Sequence, residues 1–136
     1  FGATHTLDGT SPDLAAALAA TAPPGLDYAL DTTGLAPVVA AGVGALNTRG
    51  TLGVVGAGGS EEIVLDWRTV LNGRTVTGII AGNSVPELFL PKLVAFHAAG
   101  RFPAGELIEY FPFEQIGRAM EASAAGEVVK PVLTFE

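Results

Sequence analysis

The sequence predicts an α/β fold, a parallel sheet with helices packed on its faces. Short β-like runs alternate with helix-like stretches along the chain, the order expected of strands joined by helical crossovers. Three of those runs end in small residues, at Thr32-Thr33-Gly34, Val55-Gly56-Ala57 and Ile80-Ala81-Gly82-Asn83, and open α/β sheets bind ligands beyond the carboxyl ends of their strands. The composition agrees: 49% apolar and 15% charged residues in 136 suit one packed domain and exclude a disordered chain.

Each element has a local justification. Thr4–Leu7 reads as a short strand, broken by Asp8-Gly9. Ser11-Pro12-Asp13 opens a helix with a capping hydroxyl, a proline at the first position and an acid in the first turn. That helix runs through Leu14 to Ala20 and stops at Ala22-Pro23-Pro24-Gly25. Leu26–Asp31 is a strand whose apolar positions 26, 28, 29 and 30 predict cover on both faces. Pro37 starts a helix that reaches Leu46 and is terminated by Asn47, Thr48, Arg49 and Gly50. Thr51–Val55 is the next strand, running into Gly56-Ala57-Gly58-Gly59.

Glu62–Asp66 is a further extended run, acidic at both ends. Asp66 caps a short helix, Trp67 to Asn72, which Gly73 ends before the strand Thr75–Ile80. Ser84-Val85-Pro86-Glu87 has capping-box spacing, and its helix continues to about Ala99 with Gly100 just beyond. Ile108–Phe111 is extended. Phe113–Ala125 is helical, with Ile116, Ala119 and Met120 at core spacing. Val128–Phe135 closes as an extended segment in which Pro131 marks an edge or a break.

Several functions are disfavoured outright. There is no cysteine, hence no disulfide, thiolate zinc site or thiol nucleophile. Seven basic residues against fourteen acidic ones, with no basic cluster, argue against nucleic acid as a partner. No apolar run is long enough to span a membrane, no secretory signal is visible, and a cytoplasmic protein is expected. His5 and His97 lack partners at metal-ligand spacing, and no G-x-S-x-G elbow surrounds Ser11, Ser60, Ser84 or Ser123. Asp27, Asp31, Glu61 and Glu62 read as strand-end and surface acids. No catalytic or metal-ligating residue is therefore assigned.

The glycine cluster after Val55 is not a phosphate cradle by sequence. No helix starts behind it, and Ser60-Glu61-Glu62 places negative charge where a phosphate would sit. The small residues at the strand ends have two readings. They let a flat ring or a ribose approach the backbone, or they are the ordinary residues of tight turns. Lys130, among Val128, Val129, Pro131 and Val132, either snorkels to solvent or meets an anionic ligand.

The order of motifs then carries a resemblance. Leu26–Gly34 is followed by Arg49–Gly56, Gly73–Ile80, Gly100–Pro103, Tyr110–Ile116 and Gly126–Phe135. Together they resemble the medium-chain alcohol dehydrogenases, nearest to the zinc-dependent aryl-alcohol branch. The resemblance covers nearly all of this chain and the back part of a family member. It implies an incomplete Rossmann-type parallel sheet, strands 3 to 6 with their covering helices, whose first two strands are missing. Residues 1–127 would form a partial NAD(P)-binding domain, and 128–136 a segment returning toward an absent catalytic domain.

The resemblance also implies roles. Thr32, Thr33 and Gly34 would line the adenine-ribose and nicotinamide side of the cleft. Val55, Gly56 and Ala57 would flank the nicotinamide end, as would Ile79, Ile80 and Ala81. Lys130 would contact the pyrophosphate as a point charge. The chain would thus hold half of an NAD(P) site, with zinc expected in the full-length parent. Its partners would be the dinucleotide, the missing N-terminal part or a second copy, and a homodimer paired through an edge strand near Glu62–Asp66.

Phe1-Gly2-Ala3-Thr4-His5 resembles the helix end before the third strand, so the chain is expected to begin inside the fold. Strand 4 would then lack its neighbour. Uncovering on the order of 500 Å² of apolar surface at about 25 cal/mol per Å² would forfeit roughly 12 kcal/mol, so either the missing piece is present as another chain, or the chain pairs with a copy of itself, or strand 3 is displaced. The chain alone would be inactive. The alternatives are a non-catalytic α/β dimerisation module and a fragment of a zinc-free quinone reductase of the same superfamily.

Overall fold

The computed structural model describes residues 1–58 and 62–135. The chain folds as two compact units, Gly2–Asn83 and a second from Ser84 onward. The α/β class holds, and both units carry parallel strands.

The first unit contains α1 (Leu14–Thr21), β1 (Leu26–Asp31), α2 (Ala36–Ala45), β2 (Leu46–Val54), α3 (Trp67–Leu71) and β3 (Thr75–Gly78). Its sheet runs β1-β2-β3, all parallel. Val39 and Val43 on α2 pack against Leu46 and Leu52 on β2, all four essentially buried, with Leu26, Ala29, Val54 and Leu65 around them. Burial of this set, each side chain contributing about 1.5–3 kcal/mol, seats α2 on one sheet face. α1 packs in turn on α2. The opposite face of the sheet differs from expectation. Tyr28 and Leu30 are 82% and 63% exposed there, because α1 and α2 both lie on the other side.

Four other sequence expectations change in this unit. Thr4–Leu7 joins no ladder, since no neighbouring strand offers it hydrogen bonds. α1 begins at Leu14 rather than Pro12. Ser11 still serves its start, with Oγ accepting from the Asp13 N–H at 3.2 Å. Glu62–Asp66 forms no strand. Leu65 turns into the α2 core, and the Asp66 carboxylate accepts from the Arg68 N–H to cap α3. Gly59, Ser60 and Glu61 lie outside the described residues.

The residues expected to end α2 as a turn are instead drawn into β2. Leu46 pairs with Leu26, and the ladder resumes at Tyr28 and Thr51 after a bulge. Arg49 takes the kink at φ +64°. Gly50 follows, where a Cβ would stand 2.7 Å from the Leu26 carbonyl oxygen. The Arg74 guanidinium satisfies the bulge, donating to the Leu46 carbonyl and, at 3.4 Å, to that of Asn47.

The second unit contains α4 (Pro86–Ala98), β4 (Ile108–Pro112), α5 (Ile116–Ala124) and β5 (Lys130–Thr134). β4 and β5 form a two-stranded parallel ladder, in which Pro131 is tolerated. The N-cap of α4 is Val85, one residue beyond the Ser84 of the sequence reading, because Pro86 at the first helical position fixes the start. Gly100 ends α4 at φ +68° in a Schellman turn, its N–H donating to His97 and that of Arg101 to Phe96. Phe111, Ala119 and Ala122 form the core, with Val128 and Leu133 beside them. Ile116 and Met120 are 43% and 67% exposed, lining an apolar cleft with Pro131 and Leu133 rather than filling the core.

Truncation on the two faces of the first sheet should differ. Leu52→Ala should lower the unfolding free energy by about 2–5 kcal/mol, and Leu30→Ala by less than about 1 kcal/mol. Urea denaturation of both variants checks the asymmetry.

Candidate functional site

The carboxyl ends of β1, β2 and β3 lie side by side, since Asp31 pairs with Val54 and Val54 with Gly78. The residues expected there follow directly: Thr32, Thr33 and Gly34 after β1, Val55, Gly56 and Ala57 after β2, and Ile79, Ile80 and Ala81 after β3. Lys130 lies in the second unit, exposed at the first residue of β5 and in register with Ile108.

Asp31 organises the first of these loops. Its side chain is buried, 5% exposed, contrary to its reading as a surface acid. Oδ1 accepts from the Thr33 N–H at 3.2 Å and the Thr33 hydroxyl at 2.7 Å, and Oδ2 accepts from the Gly34 N–H at 2.7 Å. Burial pushes the Asp31 carboxyl up, but these donors favour the charged form more strongly and hold it below its ordinary value. The main-chain carbonyl of Asp31 also accepts from Val55 N–H at 2.8 Å and Gly56 N–H at 3.2 Å. One residue therefore serves two loops. The signal for it was in the sequence: Asp31-Thr32-Thr33-Gly34 is the spacing of a carboxylate that folds back on the backbone two and three residues on.

The glycines acquire a definite role. A Cβ on Gly34 would stand 2.6 Å from the Gly56 carbonyl oxygen, one on Gly56 2.6 Å from that of Thr32, and one on Gly58 2.6 Å from the Gly34 carbonyl carbon. Bare backbone of one loop rests on bare backbone of the other. The space that these glycines free is filled by protein.

The third loop is shaped by Asn83, which sequence reasoning did not assign. Its Oδ1 accepts from the Ile80 N–H at 3.2 Å, while its own N–H donates to the Ile80 carbonyl at 2.8 Å. Ala81, Gly82 and Asn83 all have positive φ, and this tight turn leaves Ile80 84% exposed. Val55 is 46% exposed on the middle loop. The strand ends thus present apolar side chains above a hydrogen-bonded backbone floor.

Two outcomes test this geometry. Gly56→Ala should destabilise the chain by more than about 1 kcal/mol, because backbone on the facing loop cannot yield as a side-chain tip can; thermal melting measures it. Lowering the pH should weaken the fold through Asp31. Its folded-state pKa lies below the unfolded value of 3.8, so its contribution is present above that value and is lost as pH falls through the folded one. Urea titrations from pH 5 to 2 should show this component in the parent chain and lack it in Asp31→Asn.

Residues 1–96 match the family of zinc-binding dehydrogenases. Geraniol dehydrogenase of Castellaniella defragrans is 39% identical over 138 residues, covering 99% of this chain and 37% of that protein. Among solved structures, an alcohol dehydrogenase zinc-binding domain protein from Burkholderia ambifaria is 41% identical with a TM-score of 0.91, covering 99% of this chain and 37% of that one. Benzyl alcohol dehydrogenase from Acinetobacter calcoaceticus is 31% identical with a TM-score of 0.92, covering 99% and 38%. The chain spans a little over a third of the length of these relatives. On sequence and architecture together, it belongs to the zinc-binding dehydrogenase family and is similar to part of its alcohol dehydrogenases.

Proposed function

We propose that this chain is the cofactor-holding part of an NAD(P)-dependent, zinc-type alcohol dehydrogenase, which transfers a hydride between an alcohol and the nicotinamide. The observation that carries the reading is the row of three strand ends, with Val55 and Ile80 exposed above the loops that Asp31 and Asn83 hold. A flat ring fits such a surface, because apolar side chains exclude water from its face and few polar atoms compete for it. The dinucleotide would supply the hydride chemistry when bound.

The chain's own residues would hold and orient it. Thr32, Thr33 and Gly34 would line the adenine-ribose and nicotinamide side of the cleft, and Val55, Gly56, Ala57, Ile79, Ile80 and Ala81 would flank the nicotinamide end. Lys130 would contact the pyrophosphate as a point charge. In this reading residues 1–127 belong to the NAD(P)-binding domain and 128–136 to a segment returning toward the catalytic domain. Among the described residues no group of three His, Asp or Glu could hold a metal ion. The names of two relatives, benzyl alcohol and geraniol dehydrogenase, point to an aromatic or similarly unsaturated alcohol.

The same reading carries a cytoplasmic setting and a homodimer. Among the described residues no helix is long and apolar enough to cross a membrane. A second copy would pair through an edge strand near Glu62–Asp66, and the first sheet has two edges, β1 and β3, the four residues of β3 all being exposed.

Fluorescence titration with NADH and NADPH tests the proposal. Saturable binding of at least one is expected, weakened up to about fivefold by Lys130→Ala, the size of one exposed charge. No turnover of benzyl alcohol with NAD is expected from the chain alone. Binding of neither dinucleotide, with a dimer that forms as concentration rises, would replace this reading with a non-catalytic interaction module.

A further inference from the structure

We infer that Asp31 is the positioning residue of the candidate site: its side chain shapes the loop after β1 and its carbonyl ties down the loop after β2, so that both present one surface to a dinucleotide. This rests on the dinucleotide reading above.

Beyond the end of a parallel strand, backbone N–H groups lose their ladder partners and need acceptors. Here three of them, from Thr33, Gly34 and Gly56, turn back on Asp31, two on the carboxylate and one on the main-chain carbonyl, which also takes the last β1–β2 ladder bond from the Val55 N–H. The Thr33 hydroxyl adds a fifth donor and accepts in turn from the Leu35 N–H at 3.1 Å, carrying the arrangement to the start of α2. Every donor to the side chain requires an acceptor. An amide in place of the carboxylate keeps one acceptor for Thr33 but sets its NH2 against the Gly34 N–H, donor against donor.

Transmission to the second loop follows from packing. Gly34, Gly56 and Gly58 leave no slack, since even a methyl group on any of them would collide with the opposite backbone. Displacing Gly34 therefore displaces Gly56, although the side chain of Asp31 makes no hydrogen bond to Gly56. The carboxylate's donors saturate it within its own loop. It acts on a ligand through the shape of the backbone above it.

The test combines two readouts on the full chain. Amide hydrogen exchange follows Val55 and Gly56, whose acceptor is the Asp31 main chain, which Asp31→Asn leaves in place. NADH and NADPH titrations follow binding well below each variant's melting midpoint. Asp31→Asn should speed exchange at Val55 and Gly56 about tenfold and weaken dinucleotide binding about tenfold. Thr33→Val, which removes one donor and keeps the carboxylate, should do the same more weakly, and Thr33→Ser should restore wild-type behaviour. A residue that only stabilised the fold would lower the melting midpoint without changing the affinity of folded molecules or requiring the hydroxyl.

A folded Asp31→Asn with unchanged exchange and unchanged affinity overturns the inference. Should that variant fail to fold, Thr33→Val against Thr33→Ser decides it by the same criteria. If the wild-type chain binds neither dinucleotide, the cofactor reading falls. Exchange at Val55 and Gly56 then decides the loop coupling by itself, unchanged rates overturning it.

Discussion

Two loops meet at the carboxyl end of the first sheet with no side chain between them, and the architecture of the site descends from that contact. Gly34, Gly56 and Gly58 permit it sterically. The buried carboxylate of Asp31, with the bond its carbonyl takes from the Gly56 N–H, enforces it by supplying acceptors where the ladder runs out. Permission and enforcement are separate properties. Glycine alone allows many loop shapes and loses the most conformational freedom on folding, so the glycines would make this end loose without the carboxylate. The carboxylate alone would draw Thr33 and Gly34 inward against a Cβ that has nowhere to go.

The opposite end of the same sheet solves the mirror-image problem. At the amino ends the bulge of β2 frees carbonyl groups rather than N–H groups. Arg74 answers with donors to Leu46 and Asn47, as Asp31 answers with acceptors at the other end. Glycine again admits close backbone approach, with Gly25 against Asn47 and Gly50 against Leu26. Between the two ends, Val39 and Val43 of α2 clamp Leu46 and Leu52 near the middle of the sheet. An anion at one end, a guanidinium at the other and an apolar clamp between them support the register that the ladders set.

What could be read in the sequence, and what could not, divides along the same physics. Leu26–Asp31 emerges with the expected bounds, and α2 within a residue of them, because apolar runs bounded by Gly and Pro are local signals. The parallel order and the three strand ends were legible for the same reason. Long-range requirements were not. Thr4–Leu7 has the composition of a strand but finds no partner, and Ile63-Val64-Leu65 has higher β propensity yet spends it as a connector because Leu65 is wanted by the α2 core. Ile116 and Met120 share the helical spacing of Ala119, but periodicity does not say how wide the buried stripe is. Asp31 was visible as a residue and illegible as a role, since burial is a property of the assembled sheet.

The exposed surfaces of the first unit bear on stability more than on the site. β1 is a sheet edge, and Tyr28 and Leu30 stand on a bare face beside Gly53 and Ile79. Covering that face would add hydrophobic stabilisation in proportion to the area removed from water. Pairing the edge would satisfy its outward N–H and C=O groups. Neither change reaches the loops that Asp31 holds, because their acceptors, their donors and their steric stops all come from residues 31–35 and 55–58. The form of the strand ends is therefore set locally. Shape at the site is set within two short segments, and the free energy that keeps the sheet assembled is a separate quantity, open to a partner that adds to it.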